Sequence, residues 1–204
     1  VHTATDRDLE GRRLILASGV VDKLPSIPGL AERWGTSVFH CPYCHGYELD
    51  RGPLGVIATG EVSMHQALLI PEWGPTTFFT NGMLEPDPVQ RRQLEARNVT
   101  IEPTPVAGVE GTADVRLVDG RVIDLAGVFI ASATHLASPL AEQLGCEMDE
   151  NPLGTTVRTN AMQETTVGHV FAAGDMARPA GSVTFAIADG AMAGMATHRS
   201  LAFA

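Results

Sequence analysis

The chain has 204 residues, of which 44% are hydrophobic, and its formal net charge at pH 7 is −10, with an isoelectric point near 5.0. This composition predicts a folded globular protein with one sizeable core or two smaller ones. The negative charge repels polyanions, and Lys and Arg are not interleaved with aromatic residues, so we expect no nucleic-acid partner. No stretch approaches the roughly 18 consecutive apolar residues that cross a bilayer, and no signal-peptide pattern opens the chain. We therefore expect no membrane association and a cytoplasmic location.

The first third of the chain contains a short strand and a cysteine pair. Residues 14–17, in the segment RRLILASG, predict an apolar strand that ends at Gly19, and the Pro- and Gly-rich segment after it predicts a hinge. The segment FHCPYCHGYE follows, in which two residues separate Cys41 from Cys44.

Four chemistries fit the C-x-x-C-H segment: a dithiol of the thioredoxin or glutaredoxin kind, half of a zinc site, a haem attachment that uses His45, and a flavin-linked dithiol. Zinc needs about four ligands, and the chain has no second C-x-x-C or paired His, so we predict no metal site. Covalent haem needs export and a second axial ligand. A glutaredoxin would occupy about half of this length.

The middle of the chain, residues 54–81, predicts a β-α-β unit and hence a parallel sheet. It has a strand at residues 54–58, a helix at residues 62–70 and a second strand in the segment TTFFTNG. The first turn of this unit occupies the place of a dinucleotide fingerprint, where Gly60 and Ser63 are candidate contacts for a nicotinamide nucleotide. Only Gly60 stands at a glycine position of that fingerprint. Thr80 and Asn81 follow the second strand, where an acid or an Arg is expected. The sequence pattern fits equally a Rossmann-like unit that has lost the ability to bind such a nucleotide tightly.

The last part of the chain predicts a helix in PVQRRQLEARN, several short strands, and a hairpin turn at VDGR. A buried strand then ends at Gly174 and Asp175, and a helix rich in Ala, Gly and Met follows it. Cys146 has no local partner and is predicted to be a small buried residue.

These segments resemble, in the same order and at similar spacing, the low-molecular-weight thioredoxin reductases and their relatives, the FAD-dependent dithiol oxidases. The segments that carry the resemblance are LILASG, CPYCHGYE, the β-α-β unit and TTVGHVFAAGD. The resemblance implies an α/β, Rossmann-like two-domain flavoprotein. A nucleotide-binding domain that carries the C-x-x-C (residues 25–133) would be inserted into a partial FAD domain (residues 1–24 and 134–204).

The resemblance also implies how FAD is bound. Asp175, next to Gly174, would bond to the ribitol, Gly19 would lie near the flavin, and the amides around Ser182 and Val183 would face the isoalloxazine ring. We also expect a homodimer.

Three features depart from the thioredoxin reductase pattern. The FAD fingerprint G-x-G-x-x-G is absent and the first residue is Val1, so we expect the sequence to be a fragment whose N-terminal FAD part is not represented. The segment FTNG stands where the reductases carry basic residues, which leaves NADPH use uncertain. His45 replaces the Asp that commonly follows the second cysteine, which favours the oxidase branch.

The resulting hypothesis is an FAD-dependent thiol–disulfide oxidoreductase. It alone accounts for the C-x-x-C together with the glycines at the strand ends. The resemblance implies that Cys44 reacts with the flavin and Cys41 with a small dithiol, a disulfide or a thioredoxin-like protein. A helix that begins at Cys44 would lower the pKa of its thiol, and His45 would move protons. We expect His40 to be exposed. The alternatives are an NADPH-dependent reductase and a non-catalytic remnant without flavin.

Overall fold

The computed structural model describes residues 5–203, which fold into two units. The described part of one unit comprises residues 5–22 and 133–203, and the other unit comprises residues 23–132. That these are an FAD domain and an inserted nucleotide-binding domain stays a prediction. Within residues 5–203, no helix is long and apolar enough to span a membrane.

The strands and helices are short, apart from one C-terminal helix. The strands are β1 (Leu14–Leu16), β2 (Val20–Lys23), β3 (Val38–Phe39), β4 (Leu54–Ile57), β5 (Thr76–Phe79), β6 (Thr100–Glu102), β7 (Val106–Glu110), β8 (Asp114–Leu117), β9 (Val122–Ile123), β10 (Gly127–Ile130), β11 (Ala133–Leu136), β12 (Met148–Asn151), β13 (Gly154–Val157) and β14 (Val170–Ala172). The helices are α1 (Pro42–His45), α2 (Ser63–Leu69), α3 (Pro88–Ala96), α4 (Leu140–Gln143) and α5 (Val183–Ala202).

A parallel sheet organises the unit of residues 23–132. Its strand order is β3-β10-β4-β5-β6, and every neighbouring pair is parallel. All residues of β4 and β10 are buried, as is typical of a parallel sheet that is covered on both faces. The predicted β-α-β unit is confirmed by β4, α2 and β5.

Each face of this sheet has its own hydrophobic core, because successive side chains of a strand point to opposite sides. Val56 and Phe78 pack with residues of α2 and α3 in one core. Ile57 and Phe79 pack in the other core with Val115, which belongs to the antiparallel sheet β7-β8-β9. The predicted hairpin is confirmed by β8 and β9.

The unit of residues 5–22 and 133–203 contains a pair of parallel strands and a four-stranded sheet. β1 pairs with β14, so that Leu14 lies opposite Val170 and Leu16 opposite Ala172. Phe171 and Ala173 pack against Ala193 and Ala196 of α5. The second sheet has the order β12-β13-β11-β2. β2 was not predicted from the sequence, and it precedes the Pro- and Gly-rich segment for which a hinge was expected.

Candidate active site

The predicted cysteine pair lies on a tight turn that follows β3. Cys41 is the N-cap residue of α1, with φ −107° and ψ 115°, and Pro42 is the first helical residue. Proline suits that position, since its fixed φ matches the helix and its missing N–H would have no partner there. The Sγ atom of Cys44 lies 3.0 Å from that of Cys41 and donates a hydrogen bond to it. The structure thus brings the two predicted sulfur atoms into contact.

The expectation of a lowered pKa for Cys44 is wrong. That expectation required a helix that begins at Cys44, whereas α1 begins at Pro42. The hydrogen bond to Cys41, partial loss of water around the sulfur, and the charges of Cys41 and Glu48 raise the pKa of Cys44 from 9.0 to about 11. In the dithiol the proton therefore stays on Cys44, and the sulfur of Cys41 accepts a hydrogen bond from it.

His45, the predicted proton carrier, is held by an aromatic neighbour. Its ring stacks on Phe39, with 4.3 Å between the ring centroids and 15° between the planes. The residue is half-buried, and its Nδ1 is buried without a hydrogen-bond partner among the described residues. The stacking fixes the plane of the imidazole beside the cysteine turn.

His40 is half-buried rather than exposed, which corrects the sequence-based expectation. Its backbone carbonyl accepts a hydrogen bond of 2.8 Å from Nε2 of Gln66, which also donates to the carbonyl of Ile130 at 3.1 Å. Gln66 is buried on α2 and ties the segment before the cysteines to β10. The sequence analysis missed this residue, although a lone amide in the apolar run MHQALL was a usable signal.

Aromatic side chains surround the cysteine turn. Tyr43, between the two cysteines, is 77% exposed, and Tyr47 is 89% exposed. The ring of Tyr43 meets the ring of Trp73 edge to face, with 5.3 Å between the centroids. Two exposed aromatic side chains therefore lie on the segment that carries the cysteines.

The predicted nucleotide turn lies between β4 and α2. Gly60 has a φ of 155°, and a Cβ atom placed there would meet no atom within 4 Å. Ser63 is fully buried, and its Oγ accepts a hydrogen bond of 2.9 Å from the backbone N–H of Thr59. The Ser63 side chain thus closes the turn itself, whereas the backbone at Gly60 is open to an approaching ligand.

The end of β5 is neutral, as the sequence indicates. Thr80 is buried, and Oδ1 of Asn81 accepts a hydrogen bond of 2.8 Å from the N–H of Val106. Arg91, a candidate to reach this edge, forms an ion pair with Glu85.

Two further basic residues belong to the same unit. Arg92 is exposed on α3. Arg121 donates to Glu102 and to Asp119, at 2.7 Å in each case. Those two carboxylates offset the charge of Arg121.

In the other unit, β1 and β14 bring the predicted flavin residues to one edge. Because the two strands are parallel neighbours, Gly19 beyond β1 lies at the same edge as Gly174 and Asp175 beyond β14. Gly174 has a φ of 75°, a left-handed conformation that favours glycine. Oδ1 of Asp175 is buried and has no hydrogen-bond partner in the described part of the chain. Such an acceptor fits a ligand hydroxyl group.

The N-terminus of α5 follows the Asp175 turn. Ser182 is its N-cap residue and accepts a hydrogen bond of 3.1 Å from the N–H of Phe185. Val183 is 79% exposed. Gly181 packs on the Asp175 carboxylate, since a Cβ atom at Gly181 would lie 3.1 Å from it. An unpartnered acceptor, a close backbone and an exposed apolar residue together fit the polar chain and flat ring of FAD.

The sequence analysis missed an ion pair that fixes this turn to α5. Arg178, which follows the turn, donates from Nε and Nη2 to the two carboxylate oxygens of Asp189. Its guanidinium also lies 4.7 Å above the ring centroid of Phe185. Cys146 is buried, as predicted. Within residues 5–203, no group of three or more His, Cys, Asp or Glu side chains is arranged to hold a metal ion.

Comparison with known proteins identifies the family. The sequence profile of the pyridine nucleotide-disulphide oxidoreductases matches residues 1–193. The chain is 35% identical to thioredoxin reductase sirT of Leptosphaeria maculans and 34% identical to thioredoxin reductase tcpT of Claviceps purpurea, over 90% and 94% of its length. A crystal structure of an oxidoreductase from Agrobacterium tumefaciens superposes with a TM-score of 0.91 and 55% identity, over 94% of this chain.

The chain therefore belongs to the pyridine nucleotide-disulphide oxidoreductase family, in the branch of thioredoxin reductase-like flavoproteins. FAD is the cofactor that this membership implies. The chain spans 61% and 63% of the length of the two fungal relatives and 65% of the solved chain.

Proposed function

We propose that this chain is the dithiol-bearing part of an FAD-dependent thiol–disulfide oxidoreductase, and that the protein acts as a dithiol oxidase that passes electrons to oxygen. The observation that carries the proposal is the 3.0 Å contact between the sulfur atoms of Cys41 and Cys44. Two cysteines in contact can close a disulfide without a change in the fold. A non-catalytic remnant would not need this arrangement.

The first half-reaction is a thiol–disulfide exchange at Cys41. A substrate thiolate attacks Cys41 of the oxidised pair, the Cys41–Cys44 bond breaks, and Cys44 leaves with the electron pair and takes up a proton. The second substrate thiolate then attacks the sulfur of the first and releases Cys41. One substrate disulfide forms and one protein disulfide is reduced. In the reduced pair that results, the proton stays on Cys44, which donates a hydrogen bond to Cys41.

His45 carries the proton in this exchange. Its Nδ1 is buried, so we assign the proton exchange with the dithiol to the other ring nitrogen, Nε2. Nε2 takes the proton of the incoming thiol and delivers it to Cys44 as that sulfur leaves. Stacking on Phe39 keeps the ring plane fixed during both transfers.

The flavin part of the cycle depends on the edge formed by β1 and β14. FAD, when bound, supplies a two-electron acceptor for the reduced dithiol. Oδ1 of Asp175 would accept a hydrogen bond from a hydroxyl group of the cofactor. The glycines at positions 19 and 174 would leave room for it beside the backbone, and the N-terminal amides of α5 would help to hold it.

A dithiol rather than NADPH reduces the protein in this proposal. Binding of a 2′-phosphate usually relies on Arg side chains at the end of the second strand. Thr80 and Asn81 stand there, and Arg91 and Arg121 are engaged with carboxylates. The net charge of −10 also repels the phosphates of the nucleotide.

An NADPH-dependent thioredoxin reductase is the second candidate. The names of the fungal relatives favour it, as does the open backbone at Gly60. Its substrate would be a thioredoxin-like protein, and the oxidase would take a small dithiol. In either case we propose a homodimer in the cytoplasm.

Anaerobic reduction of the full-length flavoprotein separates the two candidates. The protein is mixed with dithiothreitol or with NADPH, and bleaching of the flavin absorbance is followed. We expect fast bleaching by the dithiol, slow bleaching by NADPH, and peroxide when oxygen is admitted. Fast bleaching by micromolar NADPH would favour the reductase instead.

A further inference from the structure

Trp73 lies at the end of the segment that connects α2 to β5, and its ring reaches the cysteine turn. Its backbone N–H donates to the carbonyl of Ile70 at 2.9 Å, which closes the short turn Ile70–Glu72. Its side chain packs against the hydrophobic core on the α2 face of the parallel sheet. Trp73 is therefore anchored in the unit of residues 23–132 independently of the cysteines.

The ring of Trp73 lies directly against Gly46, the residue that ends α1. A Cβ atom at Gly46 would lie 2.5 Å from Cδ1 and 2.6 Å from Cγ of Trp73, and 2.7 Å from the carbonyl oxygen of Pro42. Gly46 has a φ of −67°, which any residue can adopt. Space, rather than backbone conformation, therefore requires glycine here, and that space is filled by the indole ring and by the carbonyl oxygen of Pro42.

α1 needs this support because it has only four residues, and so short a helix is not stable alone. Phe39 stacks on His45, while Trp73 contacts Gly46 and Tyr43. Two aromatic rings anchored elsewhere in the unit therefore hold the helix. Cys44 lies between the residues that they contact.

We propose that Trp73 is a positioning residue for the redox pair, which keeps Cys44 in contact with Cys41 and so favours closure of the disulfide. The inference rests on the proposed redox function of these two cysteines. When Trp73 is removed, α1 loses its contacts at Gly46 and Tyr43, and the sulfur atoms separate more often. The effective concentration of one thiol at the other then falls.

Equilibration of the full-length protein with glutathione measures this effect. In the exchange, one oxidised glutathione oxidises the pair, the Cys41–Cys44 bond forms, and two reduced glutathione molecules are released. The fraction of oxidised pair is read by alkylation and mass spectrometry at a series of glutathione ratios.

We expect Trp73→Ala to lower the equilibrium constant for oxidation at least tenfold, which corresponds to about 30 mV for a two-electron couple. Trp73→Phe keeps an aromatic ring on Gly46 and should stay within about threefold of the wild type. Gly46→Ala crowds the indole ring and the carbonyl oxygen of Pro42. It should act in the same direction as Trp73→Ala, which provides a second test if the alanine variant of Trp73 does not fold.

Trp34→Ala is the matched control, because Trp34 packs against the core on the opposite face of the same sheet. The Trp34→Ala substitution should change the equilibrium constant for oxidation of the cysteine pair less than threefold.

The inference is overturned if Trp73→Ala and Gly46→Ala both stay within threefold of the wild type. It is also overturned if Trp34→Ala acts as strongly as Trp73→Ala, or if Trp73→Phe falls as far as Trp73→Ala. A wild-type pair that never closes a disulfide would refute the proposed function itself, which keeps the two failures distinct.

Discussion

Arg178 and Asp189 form a two-point ion pair, in which Nε and Nη2 of the guanidinium lie 2.6 and 2.5 Å from the two carboxylate oxygens. Asp189 is 4% exposed on α5, and it also accepts a hydrogen bond of 3.2 Å from Gln163. The pair ties the turn that carries Asp175 to the helix whose N-terminus follows it. The ion pair raises the pKa of Arg178, so the guanidinium stays charged.

Removing the charge of Asp189 should destabilise the unit and weaken flavin retention. Loss of one partner leaves the other charge without compensation, but the Arg178 side chain is 29% exposed and partly solvated. We expect Asp189→Asn to lower the free energy of unfolding by about 1–3 kcal/mol and to raise the fraction of apoprotein after dialysis. Asp149→Asn, which breaks an exposed ion pair with Arg158, should cost less than about 1 kcal/mol. Equal losses in the two variants, measured by denaturant titration, would contradict this account.

The reactivity of Cys44 should rise when Cys41 is removed. The largest cause of the raised pKa of Cys44 is its hydrogen bond to Cys41, so Cys41→Ala should lower that pKa from about 11 towards 9.0. At pH 8 the thiolate fraction then rises roughly 100-fold. The lower intrinsic nucleophilicity of the less basic thiolate reduces its reaction rate roughly tenfold, so alkylation should be roughly tenfold faster. The measurement is the iodoacetamide labelling rate of Cys44 against pH, compared with the reduced wild type. An unchanged midpoint would show that the hydrogen bond to Cys41 does not keep the proton on Cys44.

Replacement of His45 by Phe separates its chemistry from its packing. Phenylalanine can keep the stacking on Phe39 but cannot carry a proton. We expect His45→Phe to lower kcat for dithiol oxidation roughly 100-fold with little change in KM. The free energy of unfolding should stay within about 1 kcal/mol of the wild type, because an aromatic ring still fills the site. Wild-type turnover in this variant would remove His45 from the mechanism.

Protonation of Glu102 in acid should destabilise the unit of residues 23–132. Its hydrogen bond from Arg121 is the largest cause that lowers its pKa from 4.5 to about 2. Because the folded-state value is the lower one, the stabilisation is present above pH 4.5 and is lost as the pH falls towards 2. We expect Glu102→Gln to lower the free energy of unfolding by about 1 kcal/mol at pH 7, since the Arg121 side chain is half exposed to solvent.

The same variant provides the check on the pH dependence. The difference between Glu102→Gln and the wild type should shrink between pH 5 and pH 3, as followed by denaturant titration at each pH. A difference that is the same at pH 7 and pH 3 would contradict the assigned role of the carboxylate.

Local patterns predicted the elements near the site. The apolar run at residues 54–57, the helix after it and the Asp-Gly hairpin formed as expected, since each depends on neighbours in sequence. The start of α1 was also readable, because Pro42 follows directly after Cys41 and proline favours the first helical position. The expectation of a helix start at Cys44 overlooked that signal.

Contacts between distant segments could not be read from the sequence. Trp73 meets Gly46, and Arg178 meets Asp189, only because the fold brings separate elements together. The hydrogen bond from Gln66 of α2 to the backbone carbonyl of His40 has the same origin. Periodicity reports which side of an element is apolar, but it does not report which element covers that side.

The central claim is that Cys41 and Cys44 form a reversible disulfide, and trapping by alkylation tests it most directly. The native full-length protein is labelled with iodoacetamide after oxidation in air and after reduction by dithiothreitol. The labelled peptides are then identified by mass spectrometry. We expect Cys41 and Cys44 to be protected after oxidation and both labelled after reduction, while the buried Cys146 stays unlabelled in both samples. Equal labelling of Cys41 and Cys44 in the two samples would contradict the account.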